Sequence, residues 1–301
     1  MGFIQVFGKS IYFEMFGTEN EKTLLYLHGG PGASCLDFHN QAKAIGKTHR
    51  VFAIDQYGVL RSQAIGADEK YGMRLQIDML EEMRRLWNIE KWSLIGHSYG
   101  GMLTCLYASL YPEAVSSVVY ECPSFNFVLS AKSSAVFLRQ YFQNAANEEG
   151  IRRCEKIENT IYREGDTAVV RDLINALSLV TDPKVRNYLH NVSYEEYASC
   201  FVTDEITDEM WAKGQTHLEK LLEDPTIAAD FLPLLSQNPQ PALCMTGKYD
   251  PVCGADQIRT FVQQAVHPHV VEFSNSGHFP RIEEAAAYTE KVCDFIRQYG
   301  G

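Results

Sequence analysis

The sequence predicts an α/β fold: a mostly parallel sheet flanked by helices, with a helical cap insertion. Three observations predict it. In both end portions of the chain, short apolar or β-branched runs alternate with amphipathic runs of helix length. Over residues 125–238 the alternation stops, and no buried strand pattern appears. Glycine-bearing turns directly follow several of the strand-like runs.

The elements run in this order. Residues 3–6 and 11–16 alternate in polarity and flank Gly8-Lys9, the expected turn pair of a hairpin. Residues 23–27 form a short apolar strand ending in His28-Gly29-Gly30-Pro31-Gly32. A helix is expected through Lys43, then a strand over 50–54. Between 75 and 87, Leu75, Met79, Leu80, Met83, Leu86 and Trp87 fall on one helical face. A strand over 92–95, a helix over 102–111 and a β-branched strand over 115–120 follow. After the insertion, strands are expected over 242–246 and 270–273, with a helix over 256–266 between them. A last helix buries Val292, Phe295, Ile296 and Tyr299. The domain reading is therefore a core of residues 1–124 and 239–301, with residues 125–238 as a helical cap.

A chain of 301 residues and 34.1 kDa can bury roughly three quarters of its unfolded surface, enough for a substantial core. Its 27 Lys and Arg against 38 Asp and Glu leave a net charge of -11. That balance repels phosphate backbones, so nucleic acid is not an expected partner. The insertion holds 18 of the acidic and 11 of the basic residues, and so carries -7 of the total. No apolar run reaches the roughly 20 residues of a membrane span, and neither membrane nor signal peptide is expected. Met1-Gly2 lacks the Ser or Thr that myristoylation requires, because Val6 stands there. Eight scattered cysteines without a C-x-x-C pair suit a reduced cytoplasmic protein.

Chemistry concentrates in three places. Gly96-His97-Ser98-Tyr99-Gly100-Gly101 sits between a strand and a helix, the setting of a nucleophile elbow that projects a serine hydroxyl above the sheet edge. A serine hydroxyl needs a general base, which an acid must orient. Asp250 follows the strand over 242–246, and His278 follows the strand over 270–273. Among nine histidines only His278 follows a core strand at the right end: His28 and His97 lie in motif backbones, His190 and His217 in the insertion. His267 and His269 flank Pro268 in an expected loop. Glu121 is the reserve acid. The glycine-rich turn after the first parallel strand can bring amide N–H groups onto a substrate oxygen, so the oxyanion hole is assigned to Gly30 and Tyr99. No nucleotide-binding glycine motif and no His/Cys/carboxylate set with metal spacing is present, so neither cofactor nor metal is expected.

Taken together, HGGPG, Asp55-Gln56-Tyr57-Gly58 with Ser62, GHSYGG, GKYD and SGH resemble the prolyl aminopeptidase branch of the α/β-hydrolases over about residues 1–124 and 240–301. The resemblance implies an α/β-hydrolase fold, Ser98 as nucleophile with Asp250 and His278 as partners, and a helical cap over the site. It also implies a structural role for the Asp55 loop beneath it. This chain departs from the family pattern in two ways. Tyr57 and Leu60 replace the usual Arg and second Gly of that loop. The glutamates that grip a free α-ammonium are absent: no Trp-Glu pair exists, and Pro251 follows Asp250. The cap offers Glu195, Glu196, Glu205 and Glu209 as substitutes. The expected function is a serine hydrolase cleaving small ester or amide substrates, or short peptides, through an acyl-enzyme. A proline iminopeptidase-type aminopeptidase, a lactonase and a ligand-binding receptor with a retained triad are the alternatives.

Overall fold

In the computed structural model, which describes residues 1–203 and 205–300, eight strands form one sheet. They are β1 (Gly2–Val6), β2 (Lys9–Phe16), β3 (Thr23–Leu27), β4 (Arg50–Ile54), β5 (Trp92–His97), β6 (Val115–Glu121), β7 (Pro241–Gly247) and β8 (His267–Phe273). The spatial order is β1-β2-β4-β3-β5-β6-β7-β8, antiparallel through the first three strands and parallel from β4 to β8. Before β7 the chain forms α1 (His39–Ile45), α2 (Met73–Leu86) and α3 (Tyr99–Leu110). Between β6 and β7 come α4 (Phe127–Asn144), α5 (Glu148–Asn159), α6 (Ala168–Leu177), α7 (Pro183–Arg186), α8 (Tyr194–Ser199) and α9 (Asp208–Leu221). After β7 come α10 (Ala255–Gln264), α11 (Pro280–Glu283) and α12 (Ala285–Tyr299).

The sheet has a core on each face. Met79, Leu80 and Met83 of α2, Met102 and Leu103 of α3 and Phe261 of α10 pack on one side. Ala42 and Ile45 of α1 and Val292 and Ile296 of α12 pack on the other. Because helices cover both faces, β3 and β5 are buried at every position, which is why they read as continuous apolar runs rather than alternating ones.

Two sequence expectations are corrected here. The hairpin turn is Phe7-Gly8 rather than Gly8-Lys9, since Lys9 already pairs with Val6. Both turn residues have positive φ, 50° and 74°, the geometry that matches the twist of a two-residue hairpin. His267 and His269 lie in β8, not in a loop. β8 is an edge strand, where Pro268 can sit without leaving a neighbouring strand short of a donor, and His269 packs against Phe295 and Tyr299.

The helices between β6 and β7 share an apolar cluster that includes Leu138, Phe142, Ile157, Val169 and Leu173. Their seat on the sheet portion runs through α9, where Met210 and Trp211 pack on Leu36, Val59 and Leu60 and polar contacts add to them. Lys213 Nζ donates to the carbonyls of Leu60 (2.8 Å) and Ser62 (2.9 Å), and His217 Nδ1 donates to the Tyr57 carbonyl at 2.9 Å. The residues that depart from the family loop thus meet α9. Leu60 takes φ 38°, a conformation that suits the glycine it replaces. Nearby, a Cβ on Gly32 would collide with the backbone of Gly214 in α9, and one on Gly214 with the carbonyl of Gly32, so the two backbones touch. Among the described residues no helix is long and apolar enough to cross a membrane.

Candidate active site

Parallel strands share one carboxyl edge, and the turns after β3, β5, β7 and β8 all open there. Ser98, between β5 and α3, has φ 53° and ψ -117°, a left-handed conformation imposed on a residue with a side chain. Its surroundings force the glycines on either side. A Cβ on Gly96 would strike the carbonyl of Gly100, and one on Gly100 the carbonyl of Leu27. The Ser98 N–H donates to the Glu121 carbonyl at 3.0 Å, and the side chain stands at the N-terminus of α3. It borders a cavity of about 370 Å³.

His278 borders the same cavity, and its Nδ1 lies 2.9 Å from Asp250 Oδ1. An ionised carboxylate only accepts, so the proton sits on Nδ1 and the Nε2 lone pair is left free. Asp250 is fixed by backbone donors: the Val252 N–H reaches Oδ1 at 2.9 Å and the Cys253 N–H reaches Oδ2 at 3.2 Å. The histidine backbone is held from two sides. Its N–H donates to the Tyr188 carbonyl at 3.0 Å, and its carbonyl accepts from His97 Nε2 at 3.0 Å. Burial, and then the Arg281 guanidinium, push His97 well below the ordinary imidazole range, so it stays neutral and donates through Nε2.

Gly30 and Tyr99 also border the cavity. Among the described residues neither N–H has a hydrogen-bond acceptor, which leaves both donors for a ligand oxygen. The loop carrying Gly30 is braced from below. Gln56 Nε2 donates to the His28 carbonyl at 2.9 Å, while Asp55 accepts from Ser34 Oγ (2.7 Å), Cys35 N (3.1 Å) and Arg61 Nε (2.6 Å). Burial alone would raise the Asp55 carboxyl. Arg61 and Ser34 more than reverse that and hold it below its usual value.

Glu121 does not approach His278. It is fully buried against Arg281 Nη1 (2.8 Å) and the Tyr288 hydroxyl (3.0 Å), and burial raises its carboxyl despite that cation. Asp37, the carboxylate bordering the cavity, is likewise taken, by Arg281 and by the Tyr26 hydroxyl at 3.0 Å. The four glutamates of the inserted segment stand away from the cavity, all exposed. Glu196 closes a capping box with Ser193 at the start of α8, and Glu195, Glu205 and Glu209 face solvent. Cys122 Sγ lies with donor atoms of Asp250 and His278 inside 4.8 Å. Burial and the Asp250 carboxylate push its thiol up, against the thiolate form that a metal requires.

Three residues had escaped the sequence reading. Arg186 and Tyr188 line the cavity wall. Glu283, buried in α11, accepts from the Gly277 N–H (3.0 Å) beside His278 and from the His190 (3.1 Å) and Asn191 (2.8 Å) N–H groups of the inserted segment. It joins the two parts of the chain one residue from His278.

The chain belongs to the alpha/beta hydrolase fold family, whose model matches residues 22–285. Its likeness within that family is to the proline iminopeptidase branch. It is 26% identical over 303 residues to a proline iminopeptidase of Heyndrickxia coagulans, covering 98% of each chain. Among solved structures it matches a proline iminopeptidase of Mycobacterium smegmatis with TM-score 0.66 and 18% identity, over 99% of this chain and 97% of the other. It matches a thermophilic esterase of Thermogutta terrifontis with TM-score 0.67 and 17% identity, over 99% and 98%. The protein is a hydrolase.

Proposed function

We propose that the protein is a cytoplasmic serine hydrolase that cleaves small ester or amide substrates through an acyl-enzyme, with residues 125–238 acting as a cap over the site. The observation that carries this reading is the Asp250–His278 hydrogen bond at 2.9 Å, on loops that open beside Ser98 onto one cavity. Ser98 Oγ attacks the carbonyl carbon while His278 Nε2 takes its proton, and Asp250 stabilises the imidazolium that forms. The N–H groups of Gly30 and Tyr99 receive the developing oxyanion; losing one such donor typically costs about 3–4 kcal/mol in the transition state. His278 then protonates the leaving group, and water repeats the sequence on the acyl-enzyme. The test is labelling by a fluorophosphonate together with turnover of p-nitrophenyl butyrate. Wild type is expected to do both and Ser98→Ala neither.

The full-length likeness to proline iminopeptidases favours a second reading, an aminopeptidase. Against it, among the described residues the cavity offers no carboxylate free to hold an ammonium group, since Asp37 is already paired. A buried unpaired ammonium is strongly disfavoured.

A further inference from the structure

In the cavity beside Ser98 and His278, one helix contributes an unbroken apolar stripe. The residues of α6 on the cavity border are Val170, Leu173, Ile174 and Leu177, at the i, i+3, i+4 and i+7 spacing of a single helical face. The polar residues of α6, Arg171, Asp172 and Asn175, all fall outside that border. The apolar cluster of the inserted helices takes up Val169, Val170, Leu173 and Ala176. Ile174 has no part in that cluster and is 38% exposed, so apolar surface remains on the cavity side for a ligand to cover. Phe127, at the start of α4, and Leu218 of α9 border the same cavity. Several polar side chains of the border are already engaged by the protein. Ser124 and Ser130 bond each other at 2.8 Å, and Asp37 is held by Arg281 and Tyr26. Arg186 is exposed to solvent and donates to the Val180 carbonyl. At 1.5 Å per residue the stripe runs about 10 Å, roughly the length of an extended octanoyl chain.

Resting on the serine hydrolase reading, we infer that the substrate carries an uncharged aliphatic chain of about six to eight carbons that lies along α6. One cavity joins the stripe to Ser98 and His278, so the chain and the scissile carbonyl occupy it together. The chain belongs either to the acyl group or to the alcohol or amine that leaves, and the recognition chemistry is the same for both. A compact cationic prolyl group answers neither the length nor the apolarity of the stripe.

The experiment measures kcat/KM along two ladders: p-nitrophenyl acetate, butyrate, hexanoate and octanoate, and the acetates of ethanol, butanol, hexanol and octanol. Each methylene laid on α6 is worth about threefold. At least one ladder is expected to climb about thirtyfold or more from its shortest to its longest member, and the ladder that climbs identifies the side of the scissile bond. Ile174→Asn and Leu177→Asn are each expected to cut that climb by about fivefold or more. Ile174→Trp, which fills the space instead, should move the optimum to shorter chains. Ile161→Asn, at a position 92% exposed and off the cavity, should leave the climb alone. Two flat ladders, or a climb that neither Ile174→Asn nor Leu177→Asn reduces, overturn the inference while leaving the hydrolase reading intact. Calorimetric titration of Ser98→Ala with octanamide, N-octylacetamide and butanamide separates the two readings. Tighter binding of either longer amide than of butanamide, lost when Ile174→Asn is added, supports the chain site even if no ester is turned over, a result that would sink the hydrolase reading alone. Equal binding of all three, or none, counts against the chain site.

Discussion

The carbonyl of Tyr188 accepts the backbone N–H of His278 at 3.0 Å, so a residue of the inserted segment holds the histidine loop directly. Tyr188 takes φ 56° at this point. Glu283 secures the same junction through three N–H groups. Removing it leaves those donors unmet, at about 1–3 kcal/mol for each that stays dry. Glu283→Ala should lower kcat by about 10–100-fold with a smaller change in KM, because the base is misplaced rather than the substrate lost. Glu283→Gln, which keeps an acceptor oxygen, should recover part of the rate. Equal losses for the two variants would show that charge, not the hydrogen-bonded clamp, is what matters.

Ser98→Ala should abolish turnover with the thermal midpoint little changed; losses on the order of 10⁶ in kcat are typical for a triad nucleophile. His278→Ala should be comparable. Asp250→Ala should be as severe as Asp250→Asn, because Glu121 is held by Arg281 and Tyr288 and cannot take over. Residual activity above about 1% in Ser98→Ala would exclude Ser98 as the nucleophile.

His217 gives the seat of α9 a pH dependence. Burial, with a smaller contribution from His28, lowers its pKa to about 3, although its bond to the Tyr57 carbonyl opposes this. The folded protein therefore keeps it neutral, whereas the unfolded chain takes up a proton below about 6.5. Its contribution to stability is whole above about 6.5 and is lost progressively as pH falls toward about 3. His217→Gln should be less stable than wild type in urea at pH 7.5 by about 1–2 kcal/mol. At pH 4.5 the difference should shrink or reverse. A difference independent of pH would mean that no proton is linked to folding here.

Proline p-nitroanilide should be a poor substrate beside p-nitrophenyl butyrate, by at least about tenfold in kcat/KM after allowance for the better leaving group. The reason is structural: none of Glu195, Glu196, Glu205 and Glu209 borders the cavity, and Asp37 is paired. Parity between the two substrates would mean that a carboxylate moves into the cavity on binding.

Periodicity and turn chemistry made most of the fold legible. β3 and β4 have the expected bounds, because buried parallel strands are short unbroken apolar runs between turns. α3 starts at Tyr99, three residues earlier than expected, since Gly100 and Gly101 read as turn although packing demands them inside the helix. His267 and His269 misled because a proline between two polar rings looks like a loop, and only position at the sheet edge makes it a strand. Ser98, Asp250 and His278 were readable because each directly follows a strand. Glu283 was not. Its partners are backbone N–H groups, two of them more than ninety positions away, and a carboxylate that binds backbone leaves no pattern in side chains. Arg186 was hidden for a related reason: only the fold shows which of the insertion's eleven cations borders the cavity.

The bare contact between Gly32 and Gly214 sets which changes in the inserted segment are independent of one another. Main chain meets main chain there, so that contact tolerates no side chain at either position. Exchanging Leu173, Ile174 or Leu177 alters what the cavity accepts while the joint beside the Gly30 loop keeps its spacing. A single methyl at position 214 does the reverse: it leaves the cavity's chemistry untouched and pushes α9 off the turn that carries the proposed oxyanion donor. Diversifying α6 is thus a change of selectivity, and diversifying α9 at its glycine is a change of alignment.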